Sequence, residues 1–437
     1  MAEYNTKPVK VQLAGRYPLA FSRHQTTILS IMSDRTASIP LYFSPRRLSG
    51  QVAVATLGRL FINTSRRLIY PFAPALSRGL GVPLTSITSL IALNQAAGLL
   101  SPLFGPLGDR WGYRLMLLAG LGLLTVGMIA AGLLPFYGVL LLAVFLAGLG
   151  KSIFDPALQA YVGERVPYHR RGLVIGVIEF SWAGTSLIGI PLIGLLIDRW
   201  GWQSPFLVLG GLGLLSLAAL ALAMPADGHG RSEARPAGPV WVGWRLLSRE
   251  RAALGALGFI LLTALANDNL FVVYGVWLEE KFALSVVALG TATTAIGLAE
   301  LLGEGLTASI ADRLGLKRVI LIGQGLSSLS YALLPLLGRS LPLALGGLFF
   351  TFLTFEFTVV TSFSLFTEIL PRARGTLMSS LLAAAGVGRV VGALCGGPLW
   401  LSGGLTAVGL VSAAASALAL VCLGWGLWRW RDHSVDI

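Results

Sequence analysis

Long apolar runs follow one another along the chain from residue 49 onward, separated by short polar stretches. Each run is about 20 to 30 residues long, enough for a helix to cross a hydrocarbon core of about 30 Å. Twelve runs cover residues 49–77, 84–107, 114–135, 138–165, 172–197, 203–224, 252–280, 285–310, 317–337, 341–369, 375–400 and 404–429. The pattern predicts an all-α membrane protein with twelve transmembrane helices, numbered α1 to α12 in this order.

The polar stretches divide the chain into regions. Residues 1–48 hold seven Lys/Arg and two acids and predict a disordered cytoplasmic tail. Their Arg and Ser content and shortage of acids also fit a transit peptide, and translation from Met32 is a third interpretation. Residues 225–251 predict a cytoplasmic linker. It separates an N-terminal six-helix bundle, 49–224, from a C-terminal one, 252–430, which is followed by a short cytoplasmic tail, 431–437.

A short charged turn recurs about 200 residues later in the chain. Residues 105–114 read Gly-Pro-Leu-Gly-Asp-Arg-Trp-Gly-Tyr-Arg, and residues 308–317 read Ala-Ser-Ile-Ala-Asp-Arg-Leu-Gly-Leu-Lys. A second match, Asn63 and Tyr70 with Asn267 and Tyr274, has nearly the same offset. A repeat of this length in apolar sequence predicts two pseudo-symmetric halves, the usual construction of a membrane transporter.

Composition supports the membrane class and removes others. The chain is 55% hydrophobic and 12% charged, whereas a soluble domain carries about twice that charge. The net charge of +13 does not indicate nucleic-acid binding, because 24 Lys/Arg fall on the loops and tails of one membrane side and 4 on the other. This bias predicts a cell (inner) membrane protein with both termini and the Asp109 turn in the cytoplasm.

Enzymatic and cofactor-dependent activities are not expected. Both cysteines lie in apolar runs, and all four histidines lie outside the predicted spans, so neither a metal site nor a His-dependent catalytic centre can assemble at depth. The chain contains no Gly-x-x-x-x-Gly-Lys-Ser/Thr phosphate loop for ATP. We expect a non-enzyme without cofactor or metal.

Charged side chains lie inside the predicted spans, where they need a wet cavity or partners. The first half has four bases and two acids, net +2, and the second has one base and four acids, net −3. In a structural interpretation, ion pairs join the halves or the acids are protonated. In a functional one, a polar or zwitterionic substrate places its anionic group on Arg66 and Arg67 and its cationic part near Asp268 or Glu356. Both can hold in one cycle.

The candidate residues follow from helical spacing and depth. The substrate-binding candidates are Asn63, Arg66, Arg67, Tyr70, Asp155, Gln159, Asn267, Asp268, Tyr274, Glu356 and Arg389. The proton-coupling candidates are Glu179, Asp268, Glu300 and Glu304. Glu300 and Glu304 lie one turn apart, so their mutual repulsion favours protonation of at least one of them.

The turn at 105–114 resembles the signature loop between helices 2 and 3 of the major facilitator superfamily, Gly-x-Leu-x-Asp-Arg-x-Gly-Arg-Lys. Gly105, Leu107, Asp109, Arg110, Gly112 and Arg114 match it, and Tyr113 departs. The weaker copy lies between α8 and α9, as in that family. Residues 184–194 of α5 resemble a degraded Gly/Pro motif of its drug:proton antiporters, but α4 has Val144 where those antiporters carry an Arg.

The resemblance covers about residues 49–430 and implies proton-linked export of a small organic solute by alternating access. It also implies a cytoplasmic latch in which Asp109 caps α11, Arg110 pairs with Glu164 and Arg313 pairs with Glu368. The gating candidates are Gly105, Asp109, Arg110, Gly112, Arg114, Glu164, Asp312, Arg313 and Glu368.

Several alternatives stay open. Without the α4 Arg, uniport or symport is also consistent with the sequence. The Arg pair of α1 favours an amphipathic or lipid-like anion as an alternative substrate. A non-transporting membrane sensor with the same fold is a third interpretation. The expected partners are a small-molecule substrate, protons and the lipid bilayer, with no nucleic acid, and we expect a monomer.

Overall fold

The computed structural model describes residues 45–166, 168–225, 240–370, 374–428 and 430. Across these residues the chain is helical and contains no β-strand. The described residues from Gly50 onward form one compact unit. The predicted N-terminal tail up to residue 44, residues 226–239 of the predicted linker and residues 431–437 of the C-terminal tail lie outside the described residues.

The first six spans contain several broken helices. Their bounds are Pro45–Arg67 and Ala73–Leu80 (α1), Leu84–Gly98 and Ser101–Trp111 (α2), Tyr113–Leu133 (α3), Tyr137–Arg165 (α4), Tyr168–Gly184 with Ile190–Trp200 (α5), and Ser204–Ala223 (α6). A π-helical segment, Thr185–Gly189, joins the two parts of α5. A linker helix, Val240–Arg249, precedes the second set, and its Leu247 is buried in the core cluster of that set.

The last six spans follow the same order. Their bounds are Arg251–Phe271 and Tyr274–Phe282 (α7), Val286–Leu314 (α8), Leu316–Leu337 (α9), Leu341–Ile369 (α10), and Arg374–Leu427 for α11 and α12 together. The backbone of that 54-residue element leaves the helical region at Gly403 and Gly404, which separates α11 from α12.

Hydropathy identifies ten of the twelve spans, and helix breaks and charge explain why it does not identify the other two. Among the described residues, nine helices are long and apolar enough to cross a membrane, and one of these is the joined α11 and α12. The other two spans are α1 and α2. Both are interrupted, and the Pro45–Arg67 helix of α1 carries five Arg, which lower its hydropathy. The prediction of an all-α protein with twelve spans is confirmed.

The repeated charged turn has the same backbone geometry in both copies. Gly112 (φ 91°) separates α2 from α3, and Gly315 (φ 86°) separates α8 from α9. Only glycine adopts such angles without steric cost, so both turns require it. Two residues on, Arg114 Nη2 donates to the Ala221 carbonyl of α6, and Lys317 Nζ donates to the Leu427 carbonyl of α12, each at 2.7 Å.

These two bases cap helix C-termini within their own half, where carbonyls lack helical partners. We therefore expect Lys317→Gln to lower the free energy of unfolding by about 1 to 2 kcal/mol, because a charged donor leaves the end of α12. Thermal unfolding of the purified protein measures this. The neighbouring Arg318 is exposed, so Arg318→Gln serves as control. An equal loss in both variants would contradict the capping role.

Three helix pairs bring the first six spans against the last six: α1 with α7, α2 with α11, and α5 with α8. Glycines allow the close approaches. Gly275 packs on the Pro71 carbonyl, a methyl group at Gly194 would lie 3.0 Å from the Val286 carbonyl, and one at Gly397 would lie 2.9 Å from the Thr88 hydroxyl. These contacts lie toward the membrane side that carries few Lys/Arg, called below the sparsely charged side.

Candidate functional site

Breaks in α1 and α7 place the charged residues of both halves at mid-depth. The main helix of α1 ends at Arg67, and that of α7 ends at Phe271, before each chain resumes a helix toward the sparsely charged side. Helix breaks within a membrane survive where the backbone is covered by protein or faces a cavity. The sequence match of Tyr70 with Tyr274 therefore corresponds to two equivalent helix breaks.

A buried ion pair joins α1 to α8. Arg67 Nη1 donates to Glu300 Oε2 at 3.1 Å, and Nη2 donates to Oε1 at 2.5 Å. The two side chains are only 4% and 5% exposed. The guanidinium also lies over the rings of Trp182 and Phe271, 5.2 and 4.8 Å from their centroids. Two parallel hydrogen bonds fix the geometry of this pair, so the first and second halves are bound together here.

The π-helical segment of α5 completes this contact. Ser186, within Thr185–Gly189, donates from Oγ to Glu300 Oε2 at 3.3 Å. Gly189 lies against Thr64 of α1, and Pro191, just beyond, has no N–H to continue a regular helix. Short π-helical insertions change the direction of side chains and recur at functional sites. The Gly/Pro-rich stretch noted in the sequence thus points a hydroxyl at the ion pair.

Asp268 of α7 is the centre of a second contact between the halves. Its Oδ1 accepts a hydrogen bond from Gln95 Nε2 at 3.2 Å and a longer one from the Tyr70 hydroxyl at 3.5 Å. Gln95 also donates to the Tyr70 hydroxyl at 2.8 Å. On the other side, Arg389 Nε of α11 lies 3.9 Å from Asp268 Oδ2. One carboxylate therefore contacts α1, α2 and α11 together.

Arg66 is bound by amide oxygens instead of an acid. Its Nε donates to Asn94 Oδ1 at 2.7 Å and its Nη2 to Gln95 Oε1 at 3.2 Å. Asn94 is fixed in turn, because its amide nitrogen donates to the Val144 carbonyl of α4 at 2.8 Å. Gln95 is thus shared, accepting from Arg66 and donating toward Asp268.

A third cluster lies entirely within the first half. Arg59 pairs with Asp155 at 3.2 Å and with Glu179 at 3.0 Å. Lys151 pairs with Asp155 at 2.7 Å and donates to Asn63 Oδ1 at 2.7 Å. Opposite charges balance in this cluster, so its members hold α1, α4 and α5 together. The exposed Gln159 lies beside it, next to a small crevice that Arg59, Asp155 and Glu179 also line.

Glu304 and Glu356 are the acids left over. Neither forms an ion pair within the part of the chain that the structure describes, and both are half-buried. Glu356 packs against Gly303 of α8, where an added methyl group would lie 2.9 Å from its Cβ. The neighbouring threonine hydroxyls donate to carbonyls of their own helix; these are Thr351, Thr354, Thr358 and Thr361. The excess negative charge of the second half is concentrated at these two carboxyl groups.

Two predicted site residues lie in packing contacts of the second half. Tyr331 donates from its hydroxyl to Asn267 Oδ1 at 3.4 Å, and the Tyr274 and Thr293 hydroxyls are 3.0 Å apart. Tyr274 is fully buried. The structure therefore brings Asp268, Tyr70, Arg66 and Arg389 together and places Asn267 and Tyr274 behind them.

The predicted latch is only partly described. The structure does not describe the side chains of Asp109, Asp312 and Arg313 or the surroundings of Gly105. Arg110, Glu164 and Glu368 are exposed at their helix ends, and Gly112 and Arg114 act in the turn and the α6 cap given above. The pairs Arg110–Glu164 and Arg313–Glu368 stay predictions.

Four polar or aromatic residues of the site were missed from the sequence: Asn94, Gln95, Trp182 and Ser186. The adjacent amides of Asn94 and Gln95 in the middle of an apolar run were an available signal, because uncharged polar groups at that depth also need partners. Nothing in the local sequence distinguishes Trp182 or Ser186 from packing residues.

Comparison with known proteins gives consistent results. The sequence profile described as Major Facilitator Superfamily matches residues 55–266 and 256–436. The chain is 28% identical to the uncharacterized MFS-type transporter YceJ of Bacillus subtilis over 78% of this chain and 87% of the relative. It is 25% identical to the multidrug resistance protein MdtG of Serratia proteamaculans over 86% and 93%.

A solved structure gives the same fold. A bacterial homolog of the human lysosomal transporter Spinster, in an inward-facing and unoccupied conformation, superposes with a TM-score of 0.69 at 15% identity. The match covers 88% of this chain and 97% of that one.

Proposed function

The chain belongs to the Major Facilitator Superfamily and is a multi-pass membrane transporter; we propose that it exports a small organic solute by alternating access, in exchange for protons. Export is proposed because relatives such as MdtG are named as multidrug resistance proteins. Fold alone does not decide substrate or direction.

One observation carries the proposal of alternating access: the Arg67–Glu300 ion pair connects the two halves at mid-depth. A charge pair buried in this way is costly unless both partners stay together. A proton or a charged solute that reaches it can release one half from the other. Rocking of residues 49–224 against 252–430 would then expose the site to each side in turn.

We propose that the protein is a monomer in the cell membrane. The distribution of Lys and Arg favours an orientation with both termini in the cytoplasm. The sparsely charged side is then external. The close interhalf approaches at Gly194, Gly275 and Gly397 lie toward that side, which corresponds to a state closed to the outside. The cytoplasmic latch would form in the opposite state.

Glu304 is the proposed proton carrier. Glu300 is held by Arg67 and Glu179 by Arg59, whereas Glu304 has no ion-pair partner within the described residues and interacts electrostatically with both acids. A carboxyl group placed among others exchanges its proton more readily than one held by a guanidinium.

The test uses purified protein in vesicles with a trapped pH dye. Addition of a transported solute from a panel of organic cations, anions and zwitterions should change the internal pH in the wild type. Glu304→Gln should lose the pH change while one-for-one solute exchange persists. Glu280→Gln, an exposed carboxylate at the end of α7, is the matched control. Solute uptake with no pH change in the wild type would refute proton linkage.

The two other hypotheses for the function, transport of a lipid-like anion and a non-transporting sensor, have less support. A lipid-like anion would need Arg66 and Arg67, but Arg67 is bound by Glu300 and Arg66 by two amide oxygens. A non-transporting sensor would show no movement of any solute in the same vesicles.

A further inference from the structure

Asp268 and Arg389 face each other without a hydrogen bond. Arg389 Nε lies 3.9 Å from Asp268 Oδ2, beyond hydrogen-bonding distance. Gln95 and Tyr70 bind only Oδ1. Among the described residues, Arg389 donates no hydrogen bond, and its side chain is 43% exposed against 5% for Asp268. The site therefore presents a free guanidinium beside a free carboxylate oxygen.

Backbone packing holds these two groups at their spacing. A methyl group at Gly392 of α11 would lie 2.5 Å from the Leu265 carbonyl of α7 and 3.2 Å from Asp268 Cβ. Gly386, one turn before Arg389, packs against Leu99 of α2. Residues three apart share a helix face, so Arg389 is directed toward the first half, where Asp268 meets Gln95 and Tyr70. The gap lies between α7 and α11.

We infer that this gap takes the head group of a zwitterionic solute, with the ammonium on Asp268 Oδ2 and the carboxylate on Arg389. The inference names the substrate class of the transport function proposed above. A guanidinium binds a carboxylate through two parallel hydrogen bonds. Amino and carboxylate groups on the same or neighbouring carbons match two opposite charges about 4 Å apart.

Charge decides between solute classes at this site. A simple anion would contact Arg389 but approach the buried negative charge of Asp268. A simple cation would contact Asp268 but approach Arg389. A zwitterion satisfies both groups and leaves the net charge of the site unchanged, so neither residue is left beside a like charge.

Arg66 and Arg67, the anion site expected from the sequence, are already bound by Asn94, Gln95 and Glu300. Next to the gap, an aromatic cluster offers an apolar surface. The rings of Tyr70 and Phe271 lie 4.4 Å apart, and those of Phe271 and Phe352 lie 5.3 Å apart. An aromatic or other apolar group attached to the zwitterion fits this surface.

The test compares matched compounds on the full-length protein: phenylalanine, phenethylamine and phenylpropionate, with further amino acids beside their decarboxylated and deaminated counterparts. Binding is measured by thermal shift and calorimetry at millimolar concentration. We expect zwitterions of the panel to bind about tenfold or more tightly than either matched counterpart. Failure of every zwitterion in the panel to bind, or equal binding of the three classes, overturns the inference.

Two variants should change the class of ligand and not merely weaken binding. Arg389→Gln removes the anion contact, so the amine should bind better than the amino acid. Asp268→Asn removes the cation contact, so the acid should bind better. Arg339→Gln, an exposed base at the far end of the same half, is the control and should preserve the wild-type order.

Loss of all binding in Arg389→Gln and Asp268→Asn, with wild-type thermal stability, would contradict the assignment, because only a ligand-contacting pair inverts the order. The two proposals fail separately. Selective zwitterion binding without movement into vesicles refutes the transport function alone, and transport without zwitterion preference refutes the substrate class alone.

Discussion

Glu300→Gln is expected to lower the free energy of unfolding by about 3 to 5 kcal/mol, because it leaves the Arg67 guanidinium buried without its counter-charge. Arg67→Gln should have an effect of similar size. Solute exchange in vesicles should be lost in both variants, since the halves can no longer be joined and released at this point. Reversible unfolding in detergent and the initial rate of exchange measure the two effects.

The double variant Arg67→Met/Glu300→Met separates stability from function. Replacing both partners with apolar side chains should recover most of the lost stability, but transport should stay absent. Arg78–Glu279 is the matched surface pair, since Arg78 is 60% exposed. Removing it should change the free energy of unfolding by less than about 1 kcal/mol. Normal exchange in the double variant would refute the role of the ion pair in the cycle.

Gly275→Ala is expected to reduce the exchange rate by about tenfold or more, because the added methyl group meets the Pro71 carbonyl. The three nearest atoms to the added methyl group are all backbone atoms of Pro71, so no flexible side chain can move aside. The α1–α7 approach on the sparsely charged side must therefore widen, and the state closed on that side becomes less populated. Exchange in vesicles gives the rate.

Gly346→Ala is the control for this change, because Gly346 lies in a helix of the same half with open space around it. The same substitution there should leave the rate unchanged. Increased labelling of a cysteine placed at Thr85, near the end of α2 on the sparsely charged side, should accompany the loss in Gly275→Ala. A normal rate together with unchanged labelling would show that this approach is not part of the cycle.

The fold could be predicted from the sequence because its main determinants are local or repeated. Apolar run lengths set the spans, and the two copies of the charged turn showed the duplication. Gly112 and Gly315 are an example of such a determinant, because each turn needs a positive φ angle and both copies of the turn have glycine there. The caps at Arg114 and Lys317 follow the same repeat but reach carbonyls over 100 residues away, which no local pattern reveals.

The pairing of the site residues could not be predicted. Arg67 finds Glu300 at a separation of 233 residues, and other intramembrane acids were equally available in the sequence. The excess of acids in the second half predicts contacts with the bases of the first half but does not say which acid binds Arg67. The pairing depends on the helix break after Arg67 and on the π-helical segment of α5, whose Ser186 contacts Glu300. Amides such as Gln95, which lies between Arg66 and Asp268, carry no charge, so the pattern of charges along the sequence does not reveal them.

The opposite charges on the facing walls have a consequence for how this chain assembles. By the repeat that matches Tyr70 with Tyr274, Arg67 corresponds to Phe271 and Glu300 corresponds to Ala96. If the two sets of six spans were produced as separate polypeptides, two copies of the first would therefore set Arg67 against Ala96, and two copies of the second would set Glu300 against Phe271. A buried charge without its counter-charge disfavours self-association. The duplicated unit has thereby become an obligate heteropair, in which each part recognises only its counterpart.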